Sequence, residues 1–291
     1  MTTSFPSPCD PLLPELERYY DTAPRAGGAR VEDFGPLTLF VQESAGWPYY
    51  ARPALAPAGG GDGHAGHAGP AGPAEISVAD VERVLARQRE LKVPESFEWV
   101  AETTPSLRGA VRAAGLRVHE HPLMVLDTSA VRIPAHPEVR VLGAADPLLR
   151  AAVTVPMLAF AAPGTAVGEA GPAELAVAER NPASEGRRLR VSGMIASGRT
   201  ALAAAVSDGV VLCSGQHLPV GDVTEVVGVG TLPSARRRGL ALAVTAALVA
   251  DALDRGARTV FLSAGDEDVA RIYARLGFRR AGTALIADRP L

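Results

Sequence analysis

The stretch Val229-Gly-Thr-Leu-Pro-Ser-Ala-Arg-Arg-Arg-Gly-Leu-Ala241 reads as a strand, a tight basic turn and the start of a helix. Thr231, Leu232 and Pro233 end the strand. Arg236, Gly239 and Ala241 form an R-x-x-G-x-A turn, and an Ala- and Leu-rich helix follows from Leu240 to about Arg255. A turn of this kind points several backbone N–H groups outward at a helix N-terminus, which suits an anion and phosphate in particular. Gly239 and Ala241 are small, so a ligand can approach the backbone closely. Arg236, Arg237 and Arg238 add charge at the mouth. Taken alone, the string is equally a solvated basic turn in an arginine-rich chain, and its downstream context has to decide.

Downstream, Thr259-Val-Phe-Leu-Ser263 is a short apolar strand. Asp266, Glu267 and Asp268 then offer an N-cap and favourable charge for a new helix. Val269, Ile272, Tyr273 and Leu276 recur at helical spacing on one face. Gly277 closes that helix, and Phe278 opens another strand. Tyr273, on this pattern alone, is a core residue of an amphipathic helix.

Together the two units resemble the GNAT superfamily of acyl-CoA-dependent N-acyltransferases. The family's first signature, strand–[Q/R]-x-x-G-x-[G/A]–helix, is met by Arg236, Gly239 and Ala241, with Pro233 three residues ahead. Its second, N-x-x-A-x-x-x-Y-x-x-x-G-F, runs from Asp266 to Phe278. Tyr273, Gly277 and Phe278 are in place, while Asp266 stands for the usual Asn and Val269 for the usual Ala. The resemblance covers roughly residues 137–291. It implies an α/β (α+β) fold of mixed sheet flanked by helices, with acetyl-CoA or another acyl-CoA as co-substrate and no metal. It further implies that Val229, Gly230 and Thr231 face the pantetheine arm. The backbone from Arg236 through Arg237, Arg238, Gly239, Leu240 and Ala241 would hold the pyrophosphate, with Asp266 and Tyr273 near the thiol end.

The resemblance also implies acyl transfer by direct attack of an amine. An amine is mostly protonated near pH 7, so a positioned base helps. Glu225 is the candidate: it lies eleven residues before Arg236 on the same strand, where some family members carry a basic glutamate. Its neighbours Val223, Val226 and Val227 are apolar, which would raise its pKa. A solvent-facing strand glutamate fits the same pattern. Tyr273 matches the tyrosine that protonates the leaving thiolate.

The second unit has an echo 162 residues earlier. Gly277 corresponds to Gly115, Phe278 to Leu116 and Val269 to Leu107, while the strand 260–262 corresponds to Glu98-Trp-Val100. The helix from Leu240 corresponds to Ser77-Val-Ala-Asp-Val-Glu-Arg-Val-Leu-Ala-Arg87, opened by a Ser-x-x-Asp cap. Thr104-Pro105 opens the other helix. Leu285 and Ile286 correspond to Leu123 and Met124. This is an internal duplication and resembles the tandem-GNAT arrangement. The chemistry is absent from the first copy, since Tyr273 corresponds to Val111, and Arg236, Gly239 and Ala241 to Ala74, Ser77 and Ala79. The expected organisation is a degenerate domain over 1–128, a linker over 129–137 and a catalytic domain over 138–291. In the latter, a strand near Val139 precedes a helix from about Pro147 to Phe160 over the acceptor site, and a hairpin turns at Asp208-Gly209. The chain stops soon after Ile286, and the first copy is expected to cover the sheet edge left there.

Residues 54–74 contain 17 Ala, Gly or Pro among 21, too little apolar side chain to offset ordering entropy, and read as a disordered loop. His64 and His67 within it lack the further ligands a metal site needs. The chain has 291 residues, room for two domains, with formal net charge −3 and pI about 6.1. That balance argues against a broad nucleic-acid surface. No apolar run is long enough to span a membrane, and the N-terminus lacks the order of a secretory signal. Cys9 and Cys213 suggest no disulfide framework, so the cytoplasm is the expected compartment. A tandem pair can stand in for a dimer, leaving a monomer or a homodimer. Two alternatives keep the turn but change the function: a non-catalytic acyl-CoA-binding or regulatory module, and a transferase whose donor is an aminoacyl-tRNA. The expected partner is a small-molecule or peptide amine acceptor, whose identity is not legible.

Overall fold

The structure, a computed structural model, describes residues 12–43, 48–55, 75–129, 131 and 136–289. The loop expected over 54–74, with His64 and His67, falls outside these residues but for positions 54 and 55, as do Cys9 and Ala74. The chain forms two compact units. One combines Met1–His121 with Ala281–Leu291, and the other is Pro122–Arg280.

In chain order the first copy contains α1 (Leu12–Ala26), β1 (Arg30–Asp33), β2 (Leu37–Val41), β3 (Ala51–Pro53), α2 (Val78–Leu91), β4 (Ser96–Val100), α3 (Pro105–Ala113) and β5 (Arg117–Leu126). The second contains β6 (Val139–Leu142), α4 (Leu149–Ala161), α5 (Pro172–Glu179), α6 (Pro182–Ala196), β7 (Ala201–Ser207), β8 (Val210–Val220) and β9 (Val223–Thr231). It continues with α7 (Leu240–Asp254), β10 (Thr259–Ser263), α8 (Glu267–Ala274) and β11 (Phe278–Asp288). Local sequence sets the boundaries. Ser77 and Asp80 close a reciprocal capping box at α2. Asp266 caps α8 through the Val269 N–H at 2.8 Å. Asp208 and Gly209 both take positive φ, as the two-residue turn between β7 and β8 requires.

The two copies keep one offset. Displaced by 162, α2, β4, α3 and β5 fall on α7, β10, α8 and β11 to within a residue or two at their ends. The parallel ladders correspond as well. Ala51 pairs with Phe97 on β3–β4, as Val223 pairs with Thr259 on β9–β10. In that register Pro53 falls where Glu225 stands, and β3 stops there, whereas β9 runs on to Thr231.

The last strand of each copy serves the other sheet. The first unit's sheet has the order β1-β2-β3-β4-β11, with Ala284–Asp288 antiparallel to Ser96–Val100. Leu285 and Ala287 are sealed in its core among Phe97, Trp99, Leu107 and Val111. The second unit's sheet has the order β5-β10-β9-β8-β7-β6, with Leu123–Val125 antiparallel to Phe261–Ser263. Met124 and Leu126 lie in that unit's core. Strand β5 therefore takes the outer side of β10 and leaves no open edge there.

In the first unit a buried charge cluster lies on α1, β3 and β4. Arg52 is 4% exposed, 2.5 Å from Glu98, 3.5 Å from Glu17 and under the ring of Tyr20. Glu17 also accepts from the Val100 N–H and the Thr103 hydroxyl. Burial raises the Glu98 pKa against the pull of Arg52.

Candidate active site

The second unit's sheet opens where the motif begins. The parallel ladder of β9 with β10 covers Val223, Thr224 and Glu225 and ends at the Glu225–Phe261 pair, while β9 continues to Thr231. On its other side β9 stays with β8, but the register slips. Gln216 faces Val227 and Ser214 faces Gly230, so Gly228 and Val229 together oppose Gly215. Gly228 takes φ +63°, a value that costs glycine nothing, and the resulting bulge turns β9 away from a regular ladder. Gly215 and Gly230 let the layers close in. A Cβ on Gly215 would lie 2.8 Å from Val229, and one on Gly230 would lie 2.8 Å from the Pro156 backbone of α4.

At the end of β9, Pro233–Ala235 make one 3-10 turn, Arg237 takes φ +65°, and Gly239 caps α7 at φ +79°. Gly239 has no side chain to accept from the first-turn N–H groups, so they are left to a ligand or water. Arg237, Arg238 and Gly239 are exposed, Leu240 is buried and Ala241 is half-buried. The turn lies at the positive end of a 15-residue helix, an arrangement that suits an anion.

Arg236 is turned the other way. Its N–H bonds to the Pro233 carbonyl at 3.4 Å. Its Nη2 donates to the carbonyls of Ala159 (2.9 Å) and Ala162 (2.5 Å), and its Nη1 to that of Ala166 (3.1 Å). The guanidinium thus caps the C-terminus of α4. Asp266 likewise has its carboxylate engaged as the α8 cap.

Tyr273 is 7% exposed on α8, its ring edge-on to Phe278. Burial, with Cys213 adding to it, raises its pKa, so the phenol keeps its proton through the neutral range. Cys213 pairs across the strands with Thr231, whose hydroxyl lies 3.2 Å from Sγ. Burial pushes that thiol up to about 12 against the Thr231 bond, which leaves too little thiolate for a nucleophile. Tyr273 and Cys213 lie in the second unit's core, which also takes in Val226 and Leu232 at the two ends of the parted stretch. Glu225 is half-buried where that stretch begins. Six positions separate it from Thr231, about 20 Å of strand.

Two features had no sequence reading. The helices α5 and α6 sit between 163 and 196, and their signals were a Gly171-Pro172 start with Glu174 bonding back to the Gly171 N–H, and an Asn181-Pro182 cap. The second is His217, fully buried between Thr224 and Asp251. Among the described residues, no cluster of three or more His, Cys, Asp or Glu is placed to hold a metal ion, and no helix is long and apolar enough to cross a membrane.

Residues 216–286 match the family model described as FR47-like protein. No curated protein sequence matches the chain. Among solved structures, a GCN5-related N-acetyltransferase from Kribbella flavida aligns over 92% of this chain and 96% of its own, with TM-score 0.59 and 22% identity. A GCN5-related N-acetyltransferase-like protein from Streptococcus suis aligns over 95% and 97%, with TM-score 0.51 and 13% identity. A tandem GNAT protein from the clavulanic acid biosynthesis pathway aligns over 86% and 77%, with TM-score 0.53 and 14% identity. At these identities the likeness is one of fold. The chain therefore shares its fold with these proteins, a tandem GNAT among them, and its motif segment matches the FR47-like model.

Proposed function

We propose that the second copy is an acyl-CoA-dependent N-acyltransferase, most simply an acetyltransferase acting on an amine. One observation carries this reading: β9 parts from β10 after Glu225 and ends at an uncapped, glycine-opened helix N-terminus. A ligand anchored by an anion at that turn and reacting beside Glu225 needs an extended arm of about 20 Å between the two. An acyl-CoA has such an arm between its pyrophosphate and its thioester. The lack of a Cβ at Gly239 and the first-turn N–H groups without a side-chain cap suit the pyrophosphate.

When bound, acyl-CoA supplies an activated acyl carbon. The remaining chemistry falls to this chain. The backbone from Arg237 to Ala241 holds the anion, and the free edge of β9 at Val229, Gly230 and Thr231 aligns the arm. Glu225 takes the proton of the amine, directly or through water, so that a neutral nitrogen attacks. Tyr273 retains its proton and donates a hydrogen bond to the departing sulfur. The first copy, with Pro53 and Val111 in place of Glu225 and Tyr273, is assigned a structural role.

A thermal-shift titration with acetyl-CoA and CoA on the parent and on Gly239→Asp tests the donor site. A ligand that binds only the folded state raises the melting point. A rise in the parent that vanishes in the variant supports the reading and justifies a screen of amine acceptors. A folded parent that shows no shift at millimolar ligand would sink it.

A further inference from the structure

The loop after α4 is fastened to the donor turn along its length. The Gly168 N–H donates to the Pro233 carbonyl and the Ser234 N–H to the Ala170 carbonyl, both at 3.0 Å. A Cβ on Gly168 would lie 3.0 Å from the Pro233 Cβ, and one on Gly171 would lie 2.6 Å from the Ser234 Oγ, so glycine at both positions lets the loop lie close against these side chains. Arg236 completes the fastening through the carbonyls of Ala159, Ala162 and Ala166. The segment held in this way carries Phe160 and Val167, 57% and 60% exposed, beside the bonded carbonyls of Ala159 and Ala166. Arg236 stands one residue before the left-handed Arg237, where the outward-facing part of the turn begins.

We propose, on the transferase reading above, that Arg236 is a positioning residue that couples the donor turn to the acceptor-side loop 162–171. Occupancy of the turn orders the loop through the guanidinium, which fixes Val167 alongside the exposed Phe160 of α4 as an apolar surface for an acceptor with an apolar body. The guanidinium itself is not a phosphate ligand. Three carbonyls around one planar cation need its fork of donors, and two of them, those of Ala159 and Ala162, sit at the negative end of α4, which a cation stabilises. An anion that tightens the turn fixes the Arg236 backbone, and the loop loses its freedom in the same step.

Hydrogen exchange with and without acetyl-CoA, on the parent and on Arg236→Lys, tests the coupling. Lysine keeps the charge, but its three N–H donors sit on one nitrogen, which cannot reach three separated carbonyls as Nη1 and Nη2 do together. In the parent, acetyl-CoA is expected to slow exchange at Gly168 at least threefold. In Arg236→Lys that slowing disappears, while the dissociation constant for acetyl-CoA stays within threefold. Equal slowing in both proteins overturns the proposal. So does a tenfold loss of acetyl-CoA affinity with the loop unchanged, because the guanidinium would then serve the donor. Gly168→Val, which keeps Arg236 and wedges the loop off Pro233, should lose the same slowing, read there at the Ser234 N–H that donates to Ala170, and stands in if the lysine variant does not fold. A parent that binds no acetyl-CoA defeats the transferase reading and the coupling together. Ligand-free exchange at Gly168 still reports separately whether Arg236 holds the loop.

Discussion

His217 on β8 joins three elements: its Nε2 lies 2.8 Å from Oδ2 of Asp251 on α7, and its Nδ1 lies 2.9 Å from the Thr224 hydroxyl on β9. The neutral ring satisfies both, donating to Asp251 and accepting from Thr224. Burial lowers the His217 pKa from 6.5, outweighing the opposite pull of Asp251. Burial would raise the Asp251 value, but the bonds from His217 and Arg255 hold it below 3.8. An unfolded chain therefore takes up a proton below about pH 6.5 that the folded chain refuses. Stability from this group is fully present above that value and drains away as pH falls. The melting temperature is expected to drop between pH 7 and pH 5. His217→Gln should flatten that slope and cost about 1–3 kcal/mol at pH 7. An unchanged slope in the variant would show that another group controls it.

The strand exchange makes a prediction of a different kind. Leu285 belongs by sequence to the second copy but is fully buried in the first unit's core, opposite Trp99. Leu285→Ala removes methyl groups from a closed site and should cost about 2–5 kcal/mol. The loss should appear as faster hydrogen exchange in β4, with the amides of β9 and β10 much less affected. Equal loosening of β9 would mean that the two sheets unfold as one.

The duplication behind that exchange was legible in the sequence because periodic apolar positions, caps and glycines recur at a fixed offset. Leu107, Gly115 and Leu116 repeat the pattern of Val269, Gly277 and Phe278. The turn at Gly239 was legible for a related reason, since a small residue at a helix start has few other uses. Arg236 shows what sequence could not give. Its motif position is shared with anion-binding turns, but its partners are three backbone carbonyls at the end of α4 and in the loop after it, some 70 residues earlier. Carbonyls carry no residue signature. His217 was silent for the same reason, because a lone histidine in a strand says nothing about an aspartate 34 residues later on a helix.

Glu225 is placed by the ladder, one residue after Thr224 and at the last pair before the strands part. Glu225→Gln keeps its shape and removes its basicity. On the transferase reading, kcat/KM with a saturating donor should fall by about 10²-fold or more at neutral pH. The dissociation constant for acetyl-CoA should hardly move. A variant as active as the parent would assign the proton to bulk water or to another group.

Tyr273 differs from Glu225 in what its removal should do. Burial raises its pKa, so complete proton transfer to a thiolate is less favourable than a strong hydrogen bond to it. A thiolate also leaves without full protonation. Tyr273→Phe keeps the ring that packs against Phe278 and deletes only the hydroxyl. Stability should change little, and kcat should fall by about ten- to a hundredfold, with the KM for acetyl-CoA nearly unchanged. Repeating the comparison with an acyl donor whose leaving group is a better one sharpens the test, since the variant should then recover most of the lost rate. A rate loss of the same size with both donors would remove Tyr273 from the leaving-group side of the reaction and return it to the core.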